Sequence, residues 1–182
     1  MSRERGGAFR CIRCGTALRR RLPPDRKDGV LRIVCPRCRY LIYDYARLCV
    51  GAVVVRDGDV LLLRRGHPPK RGYADLPGGF LEPGEDIEKG ARRELLEETG
   101  LRLGRVELLG IYWDRYYLRG FGRFPTMNHY FLGAWRSGEP QAADDAAGIE
   151  WVPIRALART RDRWAWKHMT QVFADLKKRV RR

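Results

Sequence analysis

The sequence is short of acid and of long apolar runs. Twenty-two Asp and Glu face 37 Lys and Arg across 182 residues, a formal net charge of +15. The longest apolar run, Leu48 to Val55, falls far below the ~20 residues of a membrane-spanning helix, so no transmembrane segment is expected. Met1 to Arg10 is polar and charged and lacks the apolar core of a signal peptide. The expectation is a soluble, cytoplasmic chain. No repeat of solenoid length recurs, and a hydrophobic content of 44% excludes global disorder. The length suits one full domain plus a small module.

The basic excess, which by default suggests nucleic acid or another polyanion, sits at the ends. Residues 1–48 hold thirteen Lys/Arg and four Asp/Glu, and residues 155–182 hold ten and two. Residues 49–154 hold fourteen and sixteen, so the middle is nearly neutral and contains most of the acid.

Four of the five cysteines lie in the basic N-terminal part. Cys11-Ile12-Arg13-Cys14 and Cys35-Pro36-Arg37-Cys38 stand twenty residues apart, the spacing of a four-thiolate zinc ribbon. Each pair belongs on a tight knuckle, and Gly15 eases the first. A hairpin is expected between them: Leu18 to Leu22, a loop from Pro23 to Gly29, then Val30 to Val34. So small a piece buries little core. A structural Zn²⁺ on Cys11, Cys14, Cys35 and Cys38 would supply roughly 10–16 kcal/mol of apparent folding energy. Two disulfides would need an oxidising compartment that nothing in the sequence indicates, and four thiolates leave a catalytic zinc no open position. The surrounding Arg10, Arg13, Arg19, Arg20, Arg21, Arg37 and Arg39 suit a solubilising surface or a nucleic-acid site. Cys49, left over in an apolar strand, reads as a small buried hydrophobe.

The ribbon is assigned to residues 1–44 and a second domain to 45–182. Val50 to Val55 reads as a buried strand, Asp57-Gly58 as a hairpin turn, and Val60 to Leu63 as the returning strand. Val106 to Trp113 and His129 to Trp135 look like further strands separated by a Gly- and Arg-containing connection, and Glu150 to Pro153 ends a last one. His67, alone in a surface loop, is not taken as a ligand. Ala165, Met169, Val172, Phe173 and Leu176 fall at helical spacing, predicting a C-terminal helix packed on the sheet. The class is α+β.

The acid of the middle gathers after Leu76-Pro77-Gly78-Gly79. Pro83 and Gly84 keep the next stretch a loop, Glu85 and Asp86 suit a helix N-terminus, and Gly100 stops the helix. Glu94, Glu97 and Glu98, three and four residues apart, share one face. The stripe Ile87, Ala91, Glu94, Glu98 begins apolar and ends in carboxylates, as a helix leaving a core for a cleft would. Carboxylates held together there repel by roughly 3 kcal/mol at 5 Å and an effective dielectric near 20. They call for a hard cation, Mg²⁺ or Mn²⁺, that shares its remaining positions with phosphate.

This stretch resembles the Nudix hydrolase signature at every defined position: Gly79, Glu85, Arg93, Glu94, Leu95, Glu97, Glu98, Gly100 and Leu101. The resemblance implies an α/β/α sandwich with a mixed sheet. With the ribbon ahead of it, the arrangement is similar to bacterial NADH pyrophosphatases and a related group acting on FAD or ADP-ribose. It implies divalent-metal-dependent hydrolysis of the pyrophosphate of a nucleoside diphosphate linked to another moiety, releasing a nucleoside monophosphate. Glu94, Glu97 and Glu98 would hold the metal with a carbonyl of Gly78 or Gly79, and Arg93 would orient them. Glu85 would brace the loop, and Glu94 or an acid of a later loop, Asp144 or Asp145, would be the base. Asp145 is placed among the metal ligands. Arg64, Arg71 and Tyr116 are the substrate-binding candidates, with Arg65, Arg115 and Arg119 as further diphosphate clamps. Relatives often dimerise. Two departures stand out: Gly148 replaces a glutamate common three residues before the equivalent of Trp151, and the Ser-Gln-Pro-Trp-Pro-Phe-Pro run of NADH pyrophosphatases is missing. The alternative reading is a nucleic-acid-binding protein, an RNA-end hydrolase or ligand sensor, using the ribbon and the basic termini.

Overall fold

The computed structural model describes residues 10–18, 33–42, 45–118 and 122–180. The chain divides into two compact units, Met1–Tyr45 and Ala46–Arg182.

In the first unit, strands β1 (Ile33–Val34) and β2 (Leu41–Ile42) flank the second cysteine knuckle and pair antiparallel, Val34 opposite Leu41. The first knuckle is closed by a bridge between Arg10 and Ala17. Both knuckles turn back on the first cysteine's carbonyl, Gly15 N–H donating to Cys11 at 2.8 Å and Arg39 N–H to Cys35 at 3.0 Å. The interior is Cys11, Leu18 and Cys35, with Cys14, Cys38 and Tyr40 packed against it. The hairpin expected between the pairs runs through 19–32, outside the described residues, as do Arg19, Arg20 and Arg21. Its last residue, Val34, takes its described partner from the other side, in β2.

The second unit is a seven-stranded mixed sheet. β3 (Arg47–Arg56) is its centre, antiparallel to β4 (Asp59–Arg65) and parallel to β8 (Gly122–Ser137). Beyond β4 lies β5 (Ala74–Asp75), and beyond β8 lies the edge strand β7 (Arg102–Leu118). β6 (Gly78–Phe80) pairs with β3, and β9 (Ala146–Pro153) with β4. β3 is apolar through its middle because both its faces are covered there. Ala52 and Val54 pack with Leu61, Leu95 and Leu101 under α1 (Ile87–Thr99). Val53, one residue out of phase, packs with Val60, Leu62, Val172, Phe173 and Leu176 under α2 (Met169–Val180). Helix, sheet, helix is the α/β/α sandwich.

The helix α1 stops at Gly100 as its sequence suggests, and Asp86 proves to be its N-cap. The Asp86 carboxylate accepts from the backbone N–H groups of Glu88 and Lys89, and Gly100, at φ 70°, returns its N–H to the Leu96 carbonyl. Glu85 plays a different part, described below.

Three elements depart from the sequence reading. The strands expected at Val106–Trp113 and His129–Trp135 extend toward each other as β7 and β8, so the connection shrinks to residues 119–121, which are outside the described set. Aromatic and β-branched side chains there favour extended backbone. Ala165 precedes α2 instead of belonging to it, and a 3₁₀ stretch, Ile154–Arg163, fills the approach. The Gly78-Gly79 link is itself a strand, β6, pressed so close to β3 that a Cβ at Gly51 would meet the Pro77 carbonyl oxygen at 2.8 Å.

Candidate active site

The helix α1 and the β6 strand converge on one cavity. Gly78 and Gly79 arrive from β6, held against Gly51 and Val50 of β3 by sheet register. Glu98 arrives from the C-terminal half of α1 and lines the cavity, while Glu94 and Glu97, on the same stretch of helix, do not line it. Glu94 lies directly over Gly79: a Cβ there would stand 2.6–2.7 Å from the carboxylate, so any larger residue would push the Glu94 side chain aside. Glu98 Oε2 accepts the Gly78 N–H at 2.8 Å, and at 8% exposure the residue is buried. Burial, joined by the charges of Glu94, Asp75 and Asp145, raises its pKa to about 8, although the Gly78 hydrogen bond opposes the shift. Burial likewise raises Glu94, against the pull of Arg93.

Arg93 organises the cluster from one side. Its Nε and Nη2 grip both oxygens of Glu85 at 2.8 and 3.0 Å, and its Nη1 reaches Glu94 and Glu97, each at 2.9 Å. Glu85 also accepts the Glu82 N–H at 3.1 Å. The Arg93 hydrogen bonds lead in holding the Glu85 carboxyl down to about 2, and the guanidinium is correspondingly pushed upward. Glu85 therefore ties the loop to the helix. Among the described residues no cation pairs with Glu98.

The later loop crosses the end of α1. Ala143 N–H donates to the Glu98 carbonyl at 3.1 Å and Gln141 N–H to that of Thr99 at 3.0 Å. The Asp145 carbonyl accepts from Gly66 N–H at 2.7 Å. These bonds bring Asp145 to the cavity wall, while the charge of Asp144 raises the Glu94 pKa. Gly148 lies opposite Arg64 in the β4–β9 pairing.

The cavity, about 130 Å³, is lined by Gly78, Gly79, Glu98 and Asp145, and by Phe80 and Tyr116 at an aromatic side. Tyr116 packs edge-on to Phe80 with centroids 5.5 Å apart. The arginines divide by strand alternation. Arg65 lines the cavity and bonds Asp75 at 2.9 Å. Arg64 points to the other face, near Glu150 at 3.7 Å, and Arg71 is exposed in the loop beyond. Neither Arg64 nor Arg71 lines the cavity, so the substrate-contact role expected for them has no support from their placement. Arg115 is exposed at its edge, and Arg119 lies outside the described residues. Cys49 is half-buried and also faces the cavity, its thiol pushed up to about 12 by burial and by the charge of Glu94.

Sequence reasoning missed Asp75, Asp114, Asn128, Trp166 and His168, all on the cavity wall. Alternation along β7 and β8 carried a signal for Asp114 and Asn128. Trp166 and His168 sit in the irregular approach to α2 and had none.

The four cysteine sulfurs of the first unit lie within 4.8 Å of one another, Cys11 and Cys38 at 3.6 Å, Cys14 and Cys35 at 3.5 Å. Sulfurs at ~2.3 Å around a tetrahedral zinc would be spaced at roughly 3.8 Å, so the group fits that ion. Among the described residues it is the one set of three or more ligating side chains gathered so tightly; the three glutamates are not closed to that spacing.

The NUDIX domain family matches residues 46–174. The chain is 33% identical over 123 residues to the ADP-ribose pyrophosphatase of Methanocaldococcus jannaschii, covering 66% of this chain and 70% of that one. It is 33% identical over 153 residues to the NAD-capped RNA hydrolase NudC of Pseudomonas aeruginosa, covering 81% of this chain but only 48% of the relative. A crystal structure of a NUDIX hydrolase from Nitrosomonas europaea superposes with a TM-score of 0.67 at 25% identity, over 92% of this chain and 88% of that one.

Proposed function

This chain belongs to the Nudix hydrolase family, and from that premise we propose that it cleaves the pyrophosphate of a nucleoside diphosphate linked to another group, with ADP-ribose as the favoured substrate. The single observation that carries the reading is Glu98. It is buried, unpaired by any described cation and under the charges of three more carboxylates, Glu94, Asp75 and Asp145, an arrangement that suits a divalent cation. A Mg²⁺ or Mn²⁺ ion would polarise phosphoryl oxygens and lower the pKa of the attacking water.

Glu98 and Glu94 are the ligands we assign to that ion, with Glu97 further out, Asp145 from the loop, and a carbonyl of Gly78 or Gly79. Arg93 holds Glu94 and Glu97 in place through its fork, and Glu85 fixes Arg93. Glu94 or Asp145 would receive the proton of the attacking water. Water adds to one phosphorus as the bridging oxygen leaves, giving a nucleoside monophosphate and the phosphorylated remainder. The first unit, residues 1–44, is assigned as a zinc ribbon on Cys11, Cys14, Cys35 and Cys38, and residues 45–182 as the hydrolase domain.

The likeness to the NAD-capped RNA hydrolase favours a second reading, since it spans more of the chain than residues 46–174 alone. A capped RNA end presents the same pyrophosphate, and Arg13, Arg37 and Arg39 of the first unit are exposed. Assaying ADP-ribose, NADH, FAD, diadenosine polyphosphates and NAD-capped RNA with Mg²⁺ and with Mn²⁺, products identified by mass, separates the readings. AMP and ribose 5-phosphate from ADP-ribose are expected. Preference for the capped RNA, steeply weakened by salt, would favour the second reading, and cleavage of none of the panel would refute both.

A further inference from the structure

The inner face of the β7–β8 ribbon is built as a reader of a flat ring. Strand alternation puts Tyr112, Asp114 and Tyr116 on one face with Asn128, Thr126 and Phe124, their register partners in that order. On the opposite face Ile111, Trp113 and Tyr117 are exposed, Trp113 at 62%. Asp114, Tyr116, Thr126 and Asn128 line the cavity beside Glu98. Diagonal neighbours across such a ribbon are about 7–8 Å apart, close enough for Asp114 and Asn128 to meet a single group.

Their hydrogen bonds leave a defined pattern toward the cavity. Asn128 is only 8% exposed. Its Nδ2 donates to the Tyr112 carbonyl at 2.9 Å and to Thr126 Oγ1 at 3.2 Å. A carbonyl only accepts, so the amide nitrogen is fixed on that side. Both N–H bonds are thereby used, and no donor among the described residues reaches Oδ1. A buried acceptor left in that state is costly. Thr126 Oγ1 accepts from Asn128, so its own hydrogen is free to donate. Asp114 is anchored from behind. Its Oδ2 accepts from His168 Nδ1 at 2.8 Å and from the His168 backbone N–H at 3.1 Å, and its Oδ1 from Arg115 N–H at 2.7 Å. The other ring nitrogen of His168 meets the Tyr130 hydroxyl at 3.1 Å. A carboxylate offers about four lone-pair positions, and three are taken.

The aromatic side is fixed as well. Trp166 donates its Nε1–H to Asp75 at 2.7 Å, and its ring lies 5.2 Å from that of Tyr116, tilted by 34°. An aromatic wall beside an acceptor, a donor and a second acceptor matches a nucleobase edge that carries an exocyclic amine next to an unprotonated ring nitrogen.

We propose that Asp114, Thr126 and Asn128 form a base-reading slot that selects adenine, the 6-aminopurine, over its 6-oxo counterpart. Asp114 and Asn128 Oδ1 accept from the amine, and the Thr126 hydroxyl donates to the ring nitrogen. A 6-oxo base sets a carbonyl against two acceptors, whereas the Thr126 hydroxyl keeps a second lone pair and accommodates either state of the ring nitrogen. The slot rests on reading the cavity as a nucleotide site, and it names what distinguishes the nucleotides that enter.

The test is binding to the full chain with no added divalent ion, by calorimetry, with AMP, IMP, CMP and UMP as probes. AMP is expected to bind at least about tenfold more tightly than IMP, because a site made to hydrogen-bond an amine rejects an analogue lacking it. CMP, which shares the amine and ring-nitrogen edge on a smaller ring, should fall below AMP. Asp114→Asn retains an oxygen for His168, gives up the bond accepted from Arg115 N–H and adds a donor to the site, so the AMP-to-IMP ratio should drop at least about tenfold. Equal affinities for AMP and IMP in the unaltered protein would overturn the slot with no variant needed. So would an unchanged ratio in Asp114→Asn that keeps its far-UV and melting profile, or CMP outbinding AMP. Because binding is read without catalysis, the slot stands if AMP is preferred while ADP-ribose is not cleaved. Equal kcat/KM for ADP-ribose and its hypoxanthine analogue would overturn the slot and leave the hydrolase reading in place.

Discussion

Glu98 and Gly78, twenty residues apart, are joined by a 2.8 Å hydrogen bond from a strand N–H to a helix carboxylate. That bond locks the β6 strand to the C-terminal half of α1. It also gives Glu98 its only described donor, so its second oxygen, and the charge it carries once deprotonated, remain for another partner.

Removing that charge separates function from stability. Glu98→Gln keeps the shape and an oxygen able to accept from Gly78. Hydrolysis with Mg²⁺ should fall by about 10²-fold or more, since loss even of groups that only support metal ligands costs 10–100-fold. The fold should persist, as judged by circular dichroism. Full activity in this variant would remove Glu98 from the metal site.

The same residue sets a pH dependence. Its carboxyl titrates at about 8 in the folded protein, against 4.5 for an ordinary glutamate. Between those values the folded state holds a proton that the unfolded state has released, so stability declines as pH rises through that window. A tenfold change in proton affinity is worth about 1.4 kcal/mol, and 1 kcal/mol moves the Tm of a chain this size by roughly 2–4 °C. Without divalent ions, Tm should therefore fall by several degrees from about pH 5 to pH 8. Mg²⁺ should restore part of the loss at pH 8, and Glu98→Gln should flatten the curve. A flat profile for the unaltered protein would contradict the buried-charge assignment.

Arg93 and Glu85 act in the opposite direction. The Glu85 carboxyl lies at about 2, lowered first by the Arg93 hydrogen bonds. A depressed acid stabilises above its unfolded pKa, and that contribution is lost as pH falls from about 4.5 toward 2. Arg93→Lys replaces a rigid fork with a point charge. The variant should unfold at a higher pH on acidification and lose about 10–100-fold in kcat/KM. Acid titration followed by tryptophan fluorescence, beside steady-state kinetics, checks both.

Zinc should matter to the first unit alone. Cys35→Ser removes one of four sulfurs from a core made largely of them. The expected result is loss of one zinc per chain by elemental analysis and new protease cleavage within residues 1–45. The main thermal transition should stay within about 2 °C, because the sheet's cores contain none of these cysteines. A collapse of that transition would mean the two units fold as one.

Much of this was legible in one dimension. Cys-x-x-Cys pairs bring their own metal geometry, because two residues of separation place both sulfurs on one turn. The run from Pro83 to Gly100 declared loop, helix and stop through local chemistry, and the three glutamates follow from a period of 3.6 residues. The unbroken apolar run of β3 announced a strand covered on both sides. Tertiary structure decided what crosses the chain. Arg65 reaches the cavity while Arg64 does not, because the phase of β4 is set by its pairing with β9. Asp114 meets His168 fifty-four residues later, and Asn128 faces the cavity because the β7–β8 register places it beside Tyr112. Local residue preferences act over a few positions, whereas register and helix placement are settled by burying two faces of one sheet at once, a condition no short stretch of sequence states.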